Sequence, residues 1–343
     1  MKTSLKSKFV FVLTACILVG MLPGSAGRGS AEAENNLEDK QFEKQAAGTD
    51  ILEQGKIDYV ELESEQGSSL RFAVIGDYGS GRDEERDVAA LVKSWEPEII
   101  ITTGDNNYPD GEAETIDEHI GQFFHEFITP YQDSFGKGAQ ENLFFPSLGN
   151  HDWHSPGAEP YLDYFTLPGN ERYYDFTWGP VHFFALDSDS REPDGVGRSS
   201  VQAAWLQSRL AASTSPWKIV FFHHAPYSSG EHGSMSWMQW PFAAWGADVV
   251  LTGHDHTYER ISPPGDILYF VNGLGGKSRY DFVDIIEGSQ VRYSEDYGAM
   301  LVDVFIGRIR FQFINRNGVV IDDFSLVKQF EYSYLPILQK TSP

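Results

Sequence analysis

The segment Ile99-Ile100-Ile101-Thr102-Thr103-Gly104-Asp105-Asn106-Asn107-Tyr108 passes from apolar, β-branched residues to polar ones across a single glycine. The apolar half predicts a buried strand, because β-branched side chains fit a pleated surface and the glycine ends it. The polar half emerges at the strand's carboxyl end, where open α/β sheets place their sites. Asp105 has two carboxylate oxygens and can serve one cation or bridge two. Tyr108 can add a phenolate to one of them.

The same pattern recurs on both sides of this segment. Leu70 to Ile75 predicts a strand ending at Gly76-Asp77-Tyr78-Gly79, and Arg82 to Trp95 carries Val88, Leu91, Val92 and Trp95 at helical spacing. Asp77 and Asp105 thus close the two adjacent parallel strands of one βαβ unit. Thr115 to Ile128 predicts a helix with Phe123, Phe124, Phe127 and Ile128 as its core face and with His119 and His125 partly exposed. Leu143 to Leu148 is a short strand running into Gly149-Asn150-His151-Asp152. Tyr173 to Trp178 and Val181 to Leu186 form a hairpin of a second sheet, and Ser199 or Ser200 caps a helix reaching Leu210. Trp217 to Phe222 leads into His223-His224-Ala225-Pro226, a helical stretch spans Met235 to Trp245, and Asp248 to Thr252 leads into Gly253-His254-Asp255-His256. Ile267 to Asn272, Ala299 to Ile306, Ile309 to Asn315 and Val319 to Leu326 read as a closing antiparallel set, with turns at Gly307-Arg308 and Asn317-Gly318. A chain that is βαβ-like early and hairpin-rich late predicts an α/β fold of two sheets, a β-sandwich flanked by helices, and needs no second domain.

The chain has 343 residues, a net charge of −24 and a pI near 4.7. Such acidity argues against a nucleic-acid-binding surface, which needs clustered Lys and Arg. Lys2, Lys6 and Lys8 before the apolar run Phe9 to Leu22, then Pro23 and small residues, predict a signal peptide over residues 1–33. The run is too short for a stable membrane span, so the expected location is secreted, periplasmic or cell-surface. Leu13-Thr14-Ala15-Cys16 also resembles a lipoprotein cleavage box, although the apolar run continues past it. Cys16 is the single cysteine, so a mature chain cut beyond it has no disulfide. Residues 34–67 read as an acidic flexible leader with one edge strand at Ile57 to Leu62, 68–330 as the catalytic domain, and 331–343 as a tail.

Five strand ends therefore carry metal-ligand residue types: Asp77, Asp105 with Tyr108, Asn150 with His151, His223, and His254 with His256. Each alone is weak, since a Gly-Asp pair is usually a turn and an Asn-His-Asp run can be a turn with a satisfied histidine. Five in succession, four of them preceded by glycine, are not well explained by chance. Carboxylate, imidazole, amide and phenolate without thiolate favour iron, manganese or zinc. Two such ions roughly 3.5–4 Å apart can clamp a phosphoryl group and generate hydroxide from water.

Gly76-Asp77-x-Gly79, Gly104-Asp105-x-x-Tyr108, Gly149-Asn150-His151-Asp152, Val220-x-x-His223 and Gly253-His254-x-His256 resemble, in order, the five motifs of the purple acid phosphatases, a branch of the calcineurin-like metallophosphoesterase superfamily. Tyr258-Glu259-Arg260 also resembles that branch, and the likeness is to its short, single-domain type. The resemblance implies two metal ions. Fe(3+) would take Asp77, Asp105, Tyr108 and His256, and Fe(2+), Zn(2+) or Mn(2+) would take Asp105, Asn150, His223 and His254. It implies catalytic roles for His151 beside the phosphate and for His232, in Glu231-His232-Gly233, as a second proton donor. It further implies hydrolysis of small phosphate monoesters by metal-bound hydroxide, as in an acid phosphatase. The chain departs from plant-type members, whose extra N-terminal β domain has no room before Leu70, and from secreted members whose cysteines it lacks.

Other histidines read differently: His224 should point away from the site, His154 lies near it, and His182 is structural. The rival activities are a phosphodiesterase or nucleotidase of the same fold, or a secreted metal-containing binding protein. A dinucleotide site at Gly76 to Gly81 fails because Glu84 stands where the third glycine is required, and the Gly-Lys-Ser/Thr ending of a P-loop is missing. Oligomeric state is open.

Overall fold

A computed structural model describes residues 69–328 and the backbone of Phe9–Phe11. The edge strand expected at Ile57 to Leu62, the leader, the tail from 329 onward and most of the targeting segment lie outside the described residues. Fourteen strands are described: β1 (Phe9–Phe11), β2 (Leu70–Ile75), β3 (Ile99–Thr102), β4 (Phe144–Pro146), β5 (Tyr174–Trp178), β6 (Val181–Ala185), β7 (Trp217–His224), β8 (Val249–Gly253), β9 (Tyr258–Ile261), β10 (Leu268–Asn272), β11 (Ser289–Tyr293), β12 (Gly298–Val304), β13 (Arg308–Asn315) and β14 (Val320–Lys328). They form two mixed seven-stranded sheets, ordered β1-β14-β13-β12-β2-β3-β4 and β11-β9-β10-β8-β7-β6-β5. Helix α1 (Asp83–Ser94) links β2 to β3, and α2 (Val201–Ala212) lies against the second sheet, started by the Ser200 hydroxyl that accepts from the Ala203 N–H.

Alternation along β7 shows why the sheets stack. Trp217, Ile219 and Phe221 enter the core between the sheets, whereas Val220 and Phe222 join Leu206 and Leu210 of α2 in a second apolar layer. Across the inter-sheet core Phe72 meets Phe183 edge-on at 5.1 Å and Tyr258 stacks on Phe313 at 4.1 Å.

The parallel strands decide where the site lies. In the first sheet Ile75 of β2 faces Thr102 of β3, which faces Pro146 of β4, so Asp77, Asp105 and Asn150 leave the sheet side by side. In the second sheet β6, β7, β8 and β10 are parallel, which delivers His223 and the loop bearing His254 and His256.

Four local expectations are corrected. The helix expected from Thr115 to Ile128 is a broken series: an α-helical turn at Ala113–Ile116, a π-helical turn at Asp117–Gly121, then Gln122–Phe124 and a 3₁₀ turn at His125–Phe127. The widened turn brings Asp117 to the hydroxyls of Tyr131 (2.7 Å) and Tyr164 (3.0 Å). The stretch Met235 to Trp245 holds only the short turns Ser236–Met238 and Phe242–Trp245, interrupted at Pro241. β10 does not join the antiparallel closing set; it pairs parallel to β8 and antiparallel to β9. β9 itself is absent from the expected strands, because its central Glu259 and Arg260 break the apolar pattern.

Those two charged residues are buried and paired. Glu259 accepts from the Ser229 N–H and hydroxyl at 2.8 and 2.5 Å. Arg260 donates to Asp322 of the opposite sheet at 2.7 Å, and the Tyr258 hydroxyl donates to the same carboxylate at 2.8 Å. Asp322→Ala would strand a buried guanidinium and should lower unfolding stability by about 3–5 kcal/mol, measured by urea denaturation; a loss below about 1 kcal/mol would refute this role for the tie.

Candidate metal centre

Six of the strand-end candidates fall into two groups that share a seventh, Asp105. In the first group Asp77, Asp105 and His256 each aim a ligand atom into one place, all within 4.8 Å of one another, and could hold a metal ion. Tyr108 completes it, its hydroxyl oxygen 2.8 Å from Asp105 Oδ2, 3.2 Å from His256 Nε2 and 3.4 Å from Asp77 Oδ1. In the second group His223 Nε2 lies 3.0 Å from Asn150 Oδ1, 3.1 Å from His254 Nδ1 and 3.4 Å from Asp105 Oδ1.

The backbone is strained to achieve this. Asp77, Asp105 and His254 all have left-handed φ, at 55°, 53° and 70°, a conformation costing about 1–3 kcal/mol each that clusters at functional sites. The glycines before the ligands are required by close approach. A Cβ on Gly104 would meet the His223 ring at 2.7 Å, and one on Gly149 would meet Asp105 Oδ1 at 2.2 Å.

Neighbouring groups fix the protons. His223 Nδ1 lies 2.9 Å from the Thr103 carbonyl, which can only accept, so a proton sits there and Nε2 is turned to the site. His256 Nδ1 is held by the Ser278 hydroxyl at 2.5 Å, leaving Nε2 to face Tyr108 and Asp77. Burial pushes His256 down to about 4 and His254 far below the ordinary histidine range, so both rings are neutral, the form that ligates. Burial first, then the Asp105 charge, holds the Tyr108 phenol well above its ordinary value. Carboxyl, imidazole and amide ligand atoms thus converge in a buried space, where desolvation pushes Asp77 well above the usual carboxylate range. A cation satisfies that arrangement, and the donor set fits one.

His151 stands at the mouth. Its N–H donates to Asp105 Oδ1 at 2.9 Å, its ring lies 4.3 Å from the Tyr108 ring, and Nδ1 is bonded to the Pro109 carbonyl. His154 is exposed, 4.7 Å from the His151 ring, and bonds Asp110. His232 is exposed and its ring stacks on His254 at 4.2 Å. His182 pairs with Asp175 and Ser213 away from the site. His224 is a correction. A register shift after Phe221 brings its ring to 4.4 Å from His254, and burial pushes it down to about 3.

Sequence reasoning missed the supporting loop 273–280. Gly275 donates to Gly76 C=O at 2.9 Å, Lys277 to Asp77 C=O at 3.1 Å and Tyr280 to His256 C=O at 3.0 Å. The Tyr280 ring then stacks on His256 at 4.2 Å. The glycine-rich run Gly273 to Gly276 behind a strand was the available signal. Arg191, also missed, donates to the Asn150 carbonyl at 3.0 Å and is paired with Asp189.

Two mixed sheets with metal-ligand residues at their strand ends define a metal-dependent phosphoesterase architecture. Residues 70–258, more than half of the chain, match the calcineurin-like phosphoesterase family, and the chain belongs to it. Among characterised relatives it is 24% identical to tartrate-resistant acid phosphatase type 5 of Rattus norvegicus, over 61% of this chain and 73% of that protein. It is 29% identical to purple acid phosphatase 15 of Arabidopsis thaliana over 60% of this chain but only 45% of that longer protein. The purple acid phosphatase PPD1 of Lupinus luteus shares the fold with a TM-score of 0.60 at 19% identity, covering 76% of this chain and 54% of that one. GAP50, described as the anchor in the inner membrane complex of Plasmodium, shares it with a TM-score of 0.60 at 21% identity, covering 78% and 90%.

Ligand-by-ligand metal counting tests the shared carboxylate. Asp105→Ala should lose metal from both positions and Asp77→Ala from one, read as bound metal per chain by elemental analysis; equal stoichiometries in the two variants would refute bridging.

Proposed function

We propose that this chain is a secreted dinuclear-metal phosphatase that hydrolyses phosphate monoesters. One observation carries the proposal: the two oxygens of Asp105 face different donor groups, Oδ2 toward Tyr108 at 2.8 Å and Oδ1 toward His223 at 3.4 Å. Asp77, Asp105, Tyr108 and His256 would hold a ferric ion, and Asp105, Asn150, His223 and His254 a divalent iron, zinc or manganese. Bound there, the pair would supply Lewis acidity toward phosphoryl oxygens and an acidified water as nucleophile. Secretion rests on the basic-then-apolar pattern from Lys2 to Leu22. Among the described residues no helix is long and apolar enough to cross a membrane.

The chain's own groups perform the remaining work. Because the Pro109 carbonyl takes the Nδ1 proton of His151, protonation at Nε2 turns that ring into a cation able to stabilise a phosphoryl oxygen and donate to the leaving group. Burial, opposed by Asp105, holds His151 below the ordinary histidine range, so the donor form is populated on the acid side. His232 is the second donor for the departing oxygen. The fold alone leaves the chemistry open, since a protein described as an anchor shares it; the ligand set supports an enzyme.

Purified protein should turn over p-nitrophenyl phosphate faster than bis(p-nitrophenyl) phosphate or nucleotides. Preference for the latter would favour the diesterase or nucleotidase reading, and no turnover by metal-loaded protein would favour a binding protein. Iron-loaded protein should absorb in the visible, and Tyr108→Phe should abolish the band; a colourless active enzyme would remove ferric iron from the proposal. As pH rises through the depressed His151 value the donor is lost, so kcat/KM should fall on the alkaline side. His151→Asn should cost about 10²–10⁴-fold and erase that limb; an unchanged pH profile in the variant would exclude His151 as the acid.

A further inference from the structure

The loop that latches onto the centre carries a cation beside a candidate ligand. Among the described residues Lys277 makes no salt bridge. Its ammonium instead lies over the Tyr108 ring, 4.5 Å from the centroid. The placement is anchored from both sides. The Lys277 N–H is bonded to the Asp77 carbonyl at 3.1 Å, and the next residue, Ser278, holds His256 Nδ1 at 2.5 Å. The side chain is half-buried, which weakens solvent screening of its charge. The charges acting on it include Arg82 and Asp105, the latter itself part of the centre.

We propose that Lys277 is a positioning residue for the Tyr108 side of the centre, its ammonium acting as counter-cation to the Tyr108 phenolate and tuning the ion that phenolate would hold. This rests on the metal-site proposal above. An ammonium on the face of a neutral phenol gains modest cation–π attraction. Once the phenol ionises to serve as a ligand, the same ammonium faces a full negative charge, and the attraction rises accordingly. A positive charge on the ring lowers the energy of the phenolate donor electrons, so charge transfer from phenolate to ferric iron requires more energy. It also favours the reduced ion, which raises the iron reduction potential. His151 meets the same ring at 4.3 Å, and Lys277 is the amine there, its pKa lowered by burial from the ordinary lysine value.

The test compares iron-loaded wild-type protein with Lys277→Gln and Lys277→Arg, each checked for iron content and secondary structure. The expected result is a red-shifted visible band and a lower iron reduction potential in K277Q, with both restored toward wild type in K277R. A visible band and potential unmoved in K277Q would overturn the proposal while leaving Tyr108 as a ligand. Equal shifts in K277Q and K277R would also overturn it, because packing and not charge would then be responsible. Absence of any visible band in the iron-loaded wild type would refute the Tyr108 ligand assignment and, with it, the role given to Lys277.

Discussion

Two oxygens of one buried carboxylate constrain the whole arrangement. Asp105 can face both donor groups only if strand ends from two different sheets converge within hydrogen-bonding distance. The sheets must therefore approach closely at that end, and no side chain can stand between them. Glycine at 104 and 149 removes the Cβ atoms that would collide with His223 and Asp105. The left-handed turns at Asp77, Asp105 and His254 then aim the ligands inward from strands that would otherwise carry them past one another. The strain is borne by the apolar layers on either side of the second sheet.

Proton placement follows from the same closeness. Carbonyls and hydroxyls behind the imidazoles take one ring nitrogen each, so the lone pairs facing the centre are fixed by the scaffold. Burial keeps the His254 and His256 rings neutral and the Tyr108 phenol protonated. A site so prepared is electrostatically incomplete. It holds Asn150 Oδ1, His254 Nδ1 and Asp105 Oδ1 at 3.0 to 3.4 Å around His223 Nε2, more acceptors than one ring nitrogen can serve. Metal binding and folding are coupled on this account, because an ion satisfies acceptors that the fold otherwise leaves underserved.

The strand ends are legible in the sequence because their chemistry is local: a glycine, a ligand type and an apolar run in that order. The βαβ start and the hairpin at Gly179-Pro180 are legible for the same reason, each strand's apolar pattern matching the face it buries. What stays hidden depends on distant partners. β9 reads as polar in sequence, and its Glu259 and Arg260 are tolerated inside only because Ser229 and Asp322 reach them from elsewhere. β11 is an edge strand of half-exposed and exposed residues, with little apolar signal. The helix near Thr115 breaks because Asp117 binds two tyrosines remote in sequence. Within the centre, the seven candidate ligands stand at strand ends, whereas Arg191 donates to a backbone carbonyl that no residue type announces, and the loop at 273–280 is marked only by its glycines. His224 departs from expectation for a related reason: strict alternation fails where the β7 pairing shifts register.

That division separates what the fold explains from what the site explains. The stacked sheets are shared by proteins with different described roles, so they do not decide the chemistry. Strain at three candidate ligand positions and polar groups aimed together in a buried space are costs that a purely structural assembly has no reason to retain. An anchor or scaffold could relieve them by substituting apolar residues at Asp77, His223 or His254, since removing both members of a buried polar pair is often neutral or stabilising. Their joint presence, with one oxygen of Asp105 facing each group, is therefore stronger support for metal-dependent chemistry than the fold itself.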